Sequence, residues 1–223
     1  MSKLKVAVLI SGRGSNMGSL ARACMDPDFP AEIVLVLSNR PNVLGLELAR
    51  EHDLPIRVVD HTAYPDREAH EEAICAAMTE AGAELVCMAG YMRIVGQTLL
   101  GKWRGKVVNI HPSLLPSFRG VDTHERAIDA GVRVHGCTVH YVSPELDAGP
   151  IIAQAVVPLH PNDDAETLST RVLDMEHKLY PHAVRLIAEK MVRWSGDEAV
   201  EDRKVTIDDV LMLPEIKTAE DQA

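Results

Sequence analysis

The sequence predicts an α/β fold: a mostly parallel, twisted sheet with helices on both faces and an antiparallel addition toward the C-terminal end. Three observations predict it. Five short apolar runs recur with helical stretches between them, the spacing of βαβ units. The first runs are unbroken rather than alternating, as strands covered on both faces require. After Gly131 the pattern changes to two extended runs joined by a glycine-containing turn.

Taken in order, residues 6–10 form the first strand. Ser11-Gly12-Arg13-Gly14-Ser15-Asn16 follows, then a helix over about 17–25. Residues 33–37 are a second buried-type strand, and Leu44, Leu48 and Ala49 stripe a helix running to about His52. Residues 56–59 are the third strand. Asp66 suits the cap of the next helix, whose Ala73, Ile74, Ala77, Met78 and Ala81 face the core and which Gly82 stops. Residues 85–89 and 106–110 are the fourth and fifth strands. Residues 133–142 and 151–157 form a hairpin around Leu146-Asp147-Ala148-Gly149-Pro150. Asp163 or Asp164 caps the last long helix, with Leu168, Val172, Met175 and Leu179 on one face. Pro181 kinks that helix or begins a second, striped by Val184, Ile187, Ala188 and Met191. The end, from about Leu213, is polar, the composition of a disordered tail.

The totals exclude several classes. Net charge is −10, of which −6 lies in residues 197–223. No basic stripe is present, so nucleic acid is not an expected partner. No apolar run approaches the ~20 residues of a membrane span. The start carries no signal-peptide pattern, which predicts a cytoplasmic protein. Cys24, Cys75, Cys87 and Cys137 lack zinc spacing. The histidines form no His-x-x-x-His pair, so no metal is expected.

Three stretches carry candidate chemistry. In Asn109-Ile110-His111-Pro112-Ser113-Leu114-Leu115-Pro116 the Asn and His are two apart, so extended geometry points both to one face. Pro112 biases His111 away from helix. The stretch follows a strand, at the sheet end where open α/β sheets bind ligands. A capping Asn and a packing His are the plainer account of an isolated Asn-x-His. Gly12-x-Gly14 between strand and helix suits a phosphate, or simply a tight turn. It is not a dinucleotide fingerprint, because Met17 stands at the third small position and Ser38-Asn39 closes the second strand. Asp147 either serves its turn or reaches the imidazole of His111. His135 and His140 are five apart on one strand and so face opposite sides, one of them available to line a site.

Together, Ile10 to Asn16, Ala89-Gly90-Tyr91-Met92-Arg93-Ile94, the Asn109 stretch, His135-Gly136-Cys137-Thr138-Val139-His140 and the Asp147 turn resemble the folate-dependent phosphoribosylglycinamide formyltransferases over residues 5 to about 192. The resemblance implies a Rossmann-like formyltransferase fold, with a single domain over 1–195 and an acidic extension, partly ordered at best, over 196–223. It implies catalysis by Asn109, His111 and Asp147. It implies nucleotide-substrate binding by Gly14, Ser15, Asn16 and Glu176. Folate contacts would come from Arg67, Met92, Arg93, Ile94, Val95, Asn109, Ser143, Pro144, Glu145, Leu146 and Asp147. The implied partners are small molecules, 10-formyltetrahydrofolate as co-substrate and glycinamide ribonucleotide as acceptor, bound by a monomer or homodimer without a metal. Leu173 departs from the polar residue some members carry, and Arg13 and Asp122 occupy variable positions. A 10-formyltetrahydrofolate hydrolase is expected to need an added N-terminal domain. A methionyl-tRNA formyltransferase would need a C-terminal domain and a basic surface. A non-catalytic folate or phosphate binder is the alternative of another class.

Overall fold

The computed structural model describes residues 2–195 and 198–201. Seven strands make one sheet: β1 (Leu4–Ile10), β2 (Ala31–Ser38), β3 (Ile56–Val58), β4 (Leu85–Met88), β5 (Val107–His111), β6 (Val134–Tyr141) and β7 (Ile151–Pro158). Their order is β3-β2-β1-β4-β5-β6-β7. The pairs from β3 to β5 are parallel, while β6 runs antiparallel to both β5 and β7. The predicted hairpin is therefore the antiparallel addition, joined to the sheet along β5.

Period-two alternation assigns the core. Val6, Val8 and Ile10 face one apolar cluster, and Ala7 and Leu9 face the other. The first cluster takes in α1 (Ser15–Cys24), α2 (Leu44–Glu51), α5 (Thr123–Asp129) and α6 (Ala165–Ala188); the second takes in α3 (Arg67–Glu80) and α4 (Gln97–Lys102). Both sheet faces are covered, which explains the unbroken apolar runs. Asp66 caps α3 through the Ala69 N–H at 2.8 Å, and Asp164, not Asp163, caps α6 in a reciprocal box with Thr167.

Four details differ from the sequence reading. Strand β5 extends to His111, so the Asn-x-His pair lies within the strand rather than after it. The short α4 and α5 were not foreseen, because six or seven residues show no readable stripe. Helix α6 continues through Pro181 as one helix and ends at Ala188, leaving Met191 outside it. An antiparallel ribbon of β8 (Val192–Ser195) and β9 (Glu198–Glu201) straddles the expected domain boundary at 195/196. The predicted polar tail lies outside the described residues.

The order reverses between β1 and β4, which makes their C-terminal ends a topological switch point. Ends of adjacent strands are roughly 5 Å apart. The glycine loop after β1, the 89–96 loop after β4 and the end of β5 therefore share one edge.

Candidate active site

Strand β5 presents Asn109 and His111 to one face, and the antiparallel partner sets His140 opposite Asn109. Asp147 arrives from the β6–β7 loop in the left-handed region, φ 48°. Its Oδ2 lies 3.5 Å from His111 Nδ1 and accepts the Gly120 N–H at 2.9 Å. Its Oδ1 lies 3.8 Å from His140 Nε2. His111 Nε2 faces the Phe118 carbonyl at 3.1 Å. Both ring nitrogens of His111 thus face oxygens, and each has an acceptor when it carries a proton.

His140 is buried, and burial pushes its pKa down despite the Tyr141 carbonyl and Asp147. Burial therefore favours the neutral form of the ring. Its Nδ1 donates to the Tyr141 carbonyl at 2.9 Å, which leaves a lone pair on Nε2. That lone pair faces Asn109 Nδ2 at 3.4 Å. The contact orients the Asn109 amide with its nitrogen toward His140, and the second N–H of that nitrogen remains free to donate.

Hydrogen bonds as well as prolines stiffen the segment after β5. Thr138 Oγ1 donates to the Ser113 carbonyl at 2.7 Å and accepts the Leu115 N–H at 3.1 Å. Gln154 Nε2 donates to the Leu115 carbonyl at 2.9 Å. Thr123 Oγ1 donates to the Pro112 carbonyl at 2.7 Å. Phe118 and Asp122 join Asp147 at positive φ. A bulky residue rarely adopts that geometry, and such strain collects around functional groups.

The glycine loop is built for close approach. Gly14 has φ 73°, and a Cβ there would lie 2.7 Å from the Gly45 Cα. No side chain caps α1, and its first turn carries no acid. Its leading N–H groups and positive dipole end are available to an anion. Within that first turn, Asn16 Nδ2 donates to Glu176 Oε2 at 2.7 Å, while the buried Asn16 Oδ1 has no partner among the described residues. Burial pushes Glu176 up to about 7, with the Asn16 hydrogen bond opposing it.

The remaining predicted residues form the rim. Met92, Ile94 and Leu146 are exposed. Val95 is buried in the second core, so its backbone is what it offers a ligand. The Met92 N–H donates to Ser11 Oγ at 2.9 Å, and Ser11 Oγ donates to Asn39 Oδ1 at 2.6 Å. Exposed Arg67 lies 3.9 Å from Glu71, whose buried carboxylate accepts the Gly96 N–H at 2.6 Å and the Leu99 N–H at 3.1 Å. Arg93 is half-buried beside these loops, and Pro144 is exposed. Ser143 Oγ donates to the Glu145 carbonyl at 3.1 Å, and Arg119 pairs with Glu145 at 2.8 Å.

Residues 4–184 match the formyl transferase family. The chain belongs to that family. The phosphoribosylglycinamide formyltransferase of Haemophilus influenzae is 37% identical over 200 residues, covering 90% of this chain and 94% of that protein. The trifunctional purine biosynthetic protein adenosine-3 of Bos taurus is 48% identical over 191 residues, 86% of this chain. This chain spans only 19% of that longer relative. The glycinamide ribonucleotide transformylase 1 of Symbiobacterium toebii superposes with a TM-score of 0.86 at 40% identity, covering 89% of this chain and 94% of that one.

In this formyl transferase the structure brings Asn109, His111 and Asp147 together, and separately pairs Asn16 with Glu176. Sequence reasoning left His140 as one of two possibilities and did not foresee Glu71 or Phe118. The pairing of β5 with β6 picks His140, while His135 packs edge-on against Phe118 and His124. Among the described residues no group of three His, Cys, Asp or Glu could hold a metal, and no helix is long and apolar enough to cross a membrane.

Proposed function

We propose that the chain transfers the formyl group of 10-formyltetrahydrofolate to the amine of glycinamide ribonucleotide. The observation that carries this reading is the convergence of Asn109, His111 and Asp147 at one sheet edge, beside an uncapped glycine loop suited to phosphate. Gly14, Ser15 and Asn16 would hold the nucleotide's phosphate end, with Glu176 accepting from its sugar. Arg67, residues 92–95 and residues 143–147 would hold the folate.

The amine nitrogen attacks the formyl carbon, a C–N bond forms, and the carbonyl oxygen becomes an oxyanion. Asn109 donates to it through the N–H that His140 leaves free. His111 donates through the N–H now directed at the Phe118 carbonyl. One such donor is worth about 3–4 kcal/mol in the transition state. The bond from carbon to folate N10 then breaks, and the amine's proton passes to N10, directly or through water. Asp147 keeps His111 oriented and offsets its charge. The step balances without a metal ion. We place the reaction in the cytoplasm, in a monomer or homodimer.

The test is to incubate the protein with 10-formyltetrahydrofolate, with and without glycinamide ribonucleotide. Nucleotide-dependent formation of the formylated product is the expected result. Release of formate without nucleotide would assign a hydrolase instead, and no turnover would leave a binding protein.

A further inference from the structure

The groove between α1 and α6 holds a feature that the proposed reaction does not use. It is an open groove of about 560 Å³ beside the C-terminal half of α1, away from the Gly14–Asn16 end. Arg22 reaches it from α1, and His177, His182 and Arg185 reach it from α6. Phe29, Ala23 and Pro181 supply apolar surface between them.

Two guanidiniums and two imidazoles therefore line one groove on a chain whose net charge is −10. One carboxylate shares the lining with them, and one of the two guanidiniums is paired from outside it. Asp26 is a carboxylate on the same lining, and its Oδ1 already accepts the Asp28 N–H at 2.9 Å. Arg185 is held in place, 5.1 Å from the centroid of the Phe29 ring, with Glu189 at 3.2 Å. Arg22 has no ion-pair partner among the described residues. The Nε2 atom of His177 is buried and has no hydrogen-bond partner. Burial, reinforced by the nearby Arg22 charge, pushes the His177 pKa down.

A buried ring nitrogen without a partner is costly; in the tautomer that carries its proton on Nε2, His177 donates to an oxyanion that also pairs Arg22. A bare phosphate would leave most of the groove empty, whose volume falls in the range of small-ligand sites. The apolar surface from Phe29 and Pro181 suits an organic body attached to the anion. We propose that this groove is a second binding site, distinct from the glycine loop, for a phosphate monoester carrying a small organic group.

The probe is phenyl phosphate, titrated at pH 7 and constant ionic strength with sodium chloride as balance, and followed by ¹H–¹⁵N NMR of the full chain. Saturable shifts around Arg22, Phe29, His177 and Arg185 are expected. In an Arg22→Gln, Arg185→Gln variant their midpoint should weaken by at least about tenfold, the scale of two lost charge-assisted contacts. Any shifts at Gly14, Ser15 and Asn16 should keep their wild-type midpoint. The exposed position of Arg22 makes Arg22→Gln alone a sufficient variant if the double one misfolds. Shifts that never saturate, that are confined to the glycine loop, or that keep their midpoint in the variant would each overturn the proposal.

Discussion

Asp147 and Glu176 are two nearly buried carboxylates on the same sheet edge, and their surroundings are opposite. Asp147 accepts the Gly120 N–H and lies 3.5 Å from His111 Nδ1, two groups that can donate to it. Glu176 has a single amide donor, Asn16, and is otherwise enclosed by core. The first carboxylate is satisfied by the protein, so its work is to hold a neighbour. The second has one donor and is pushed up to about 7 by burial, which leaves it lone pairs for the sugar hydroxyl of the proposed reaction. A carboxylate's role at this edge is thus legible in how many donors the fold already gives it.

The sharpest way to break that comparison is at the satisfied pair. His111→Ala should lower turnover by about 10²–10³-fold, and Asp147→Asn by at least about tenfold, judged from the worth of an oxyanion donor and of acid–base assistance. The measurement is kcat with both substrates saturating, on variants whose circular dichroism matches the wild type. Near-normal turnover in a folded His111→Ala protein would remove His111 from the mechanism.

Glu176 should behave in the other direction, as a group that costs stability. Its native pKa, about 7, exceeds the ordinary 4.5. Between those values the folded state holds more protons than the unfolded state, so stability falls as pH rises through that window and stays lower above it. The loss has an upper bound of about 3 kcal/mol. Glu176→Gln removes the charge and keeps an oxygen for Asn16. The variant should therefore match the wild type at pH 4.5 and exceed it at pH 8 in urea unfolding, while its KM for the nucleotide rises. An equal response of both proteins to pH would show that Glu176 is not the burdened group.

Gly14→Ala tests the loop beneath Asn16. Alanine pays about 1–2 kcal/mol in left-handed geometry, and its Cβ would meet the Gly45 backbone at 2.7 Å. A lower urea midpoint together with weaker nucleotide binding is expected. Unchanged binding would separate the loop from the phosphate.

How much of this was readable beforehand follows from range. The parallel strands and the shared face of Asn109 and His111 rest on local periodicity, and both were legible. Asp147 could be read only as a turn residue with an option. Its actual position combines the two, a left-handed turn residue that touches His111. Selecting His140 over His135 needed the register that pairs Asn109 with His140. Glu71 was invisible because the N–H groups it accepts belong to Gly96 and Leu99, far along the chain and on another element. Arg22, His177 and Arg185 are unremarkable singly and become a groove only when α1 packs on α6.

The smallest effect is expected two residues from Asp147, and it tests whether burial or mere proximity to the site sets the energetics. Glu145 pairs with Arg119 at 2.8 Å, shorter than the His111–Asp147 distance, yet its side chain is 74% exposed and that of Asp147 only 9%. Distance alone would rank the Glu145 pair first. Solvent screening and side-chain entropy reverse that ranking, since an exposed pair is worth about 0–1 kcal/mol. Glu145→Gln should therefore shift the urea midpoint barely, and kcat by less than about twofold, with a KM change for folate if the 143–147 loop contacts it. Raising ionic strength should erase whatever stability difference remains. A loss at Glu145 as large as that at Asp147 would mean that the loop acts as one rigid unit, and that the Arg119 tie, rather than the buried contacts of Asp147, keeps His111 aligned.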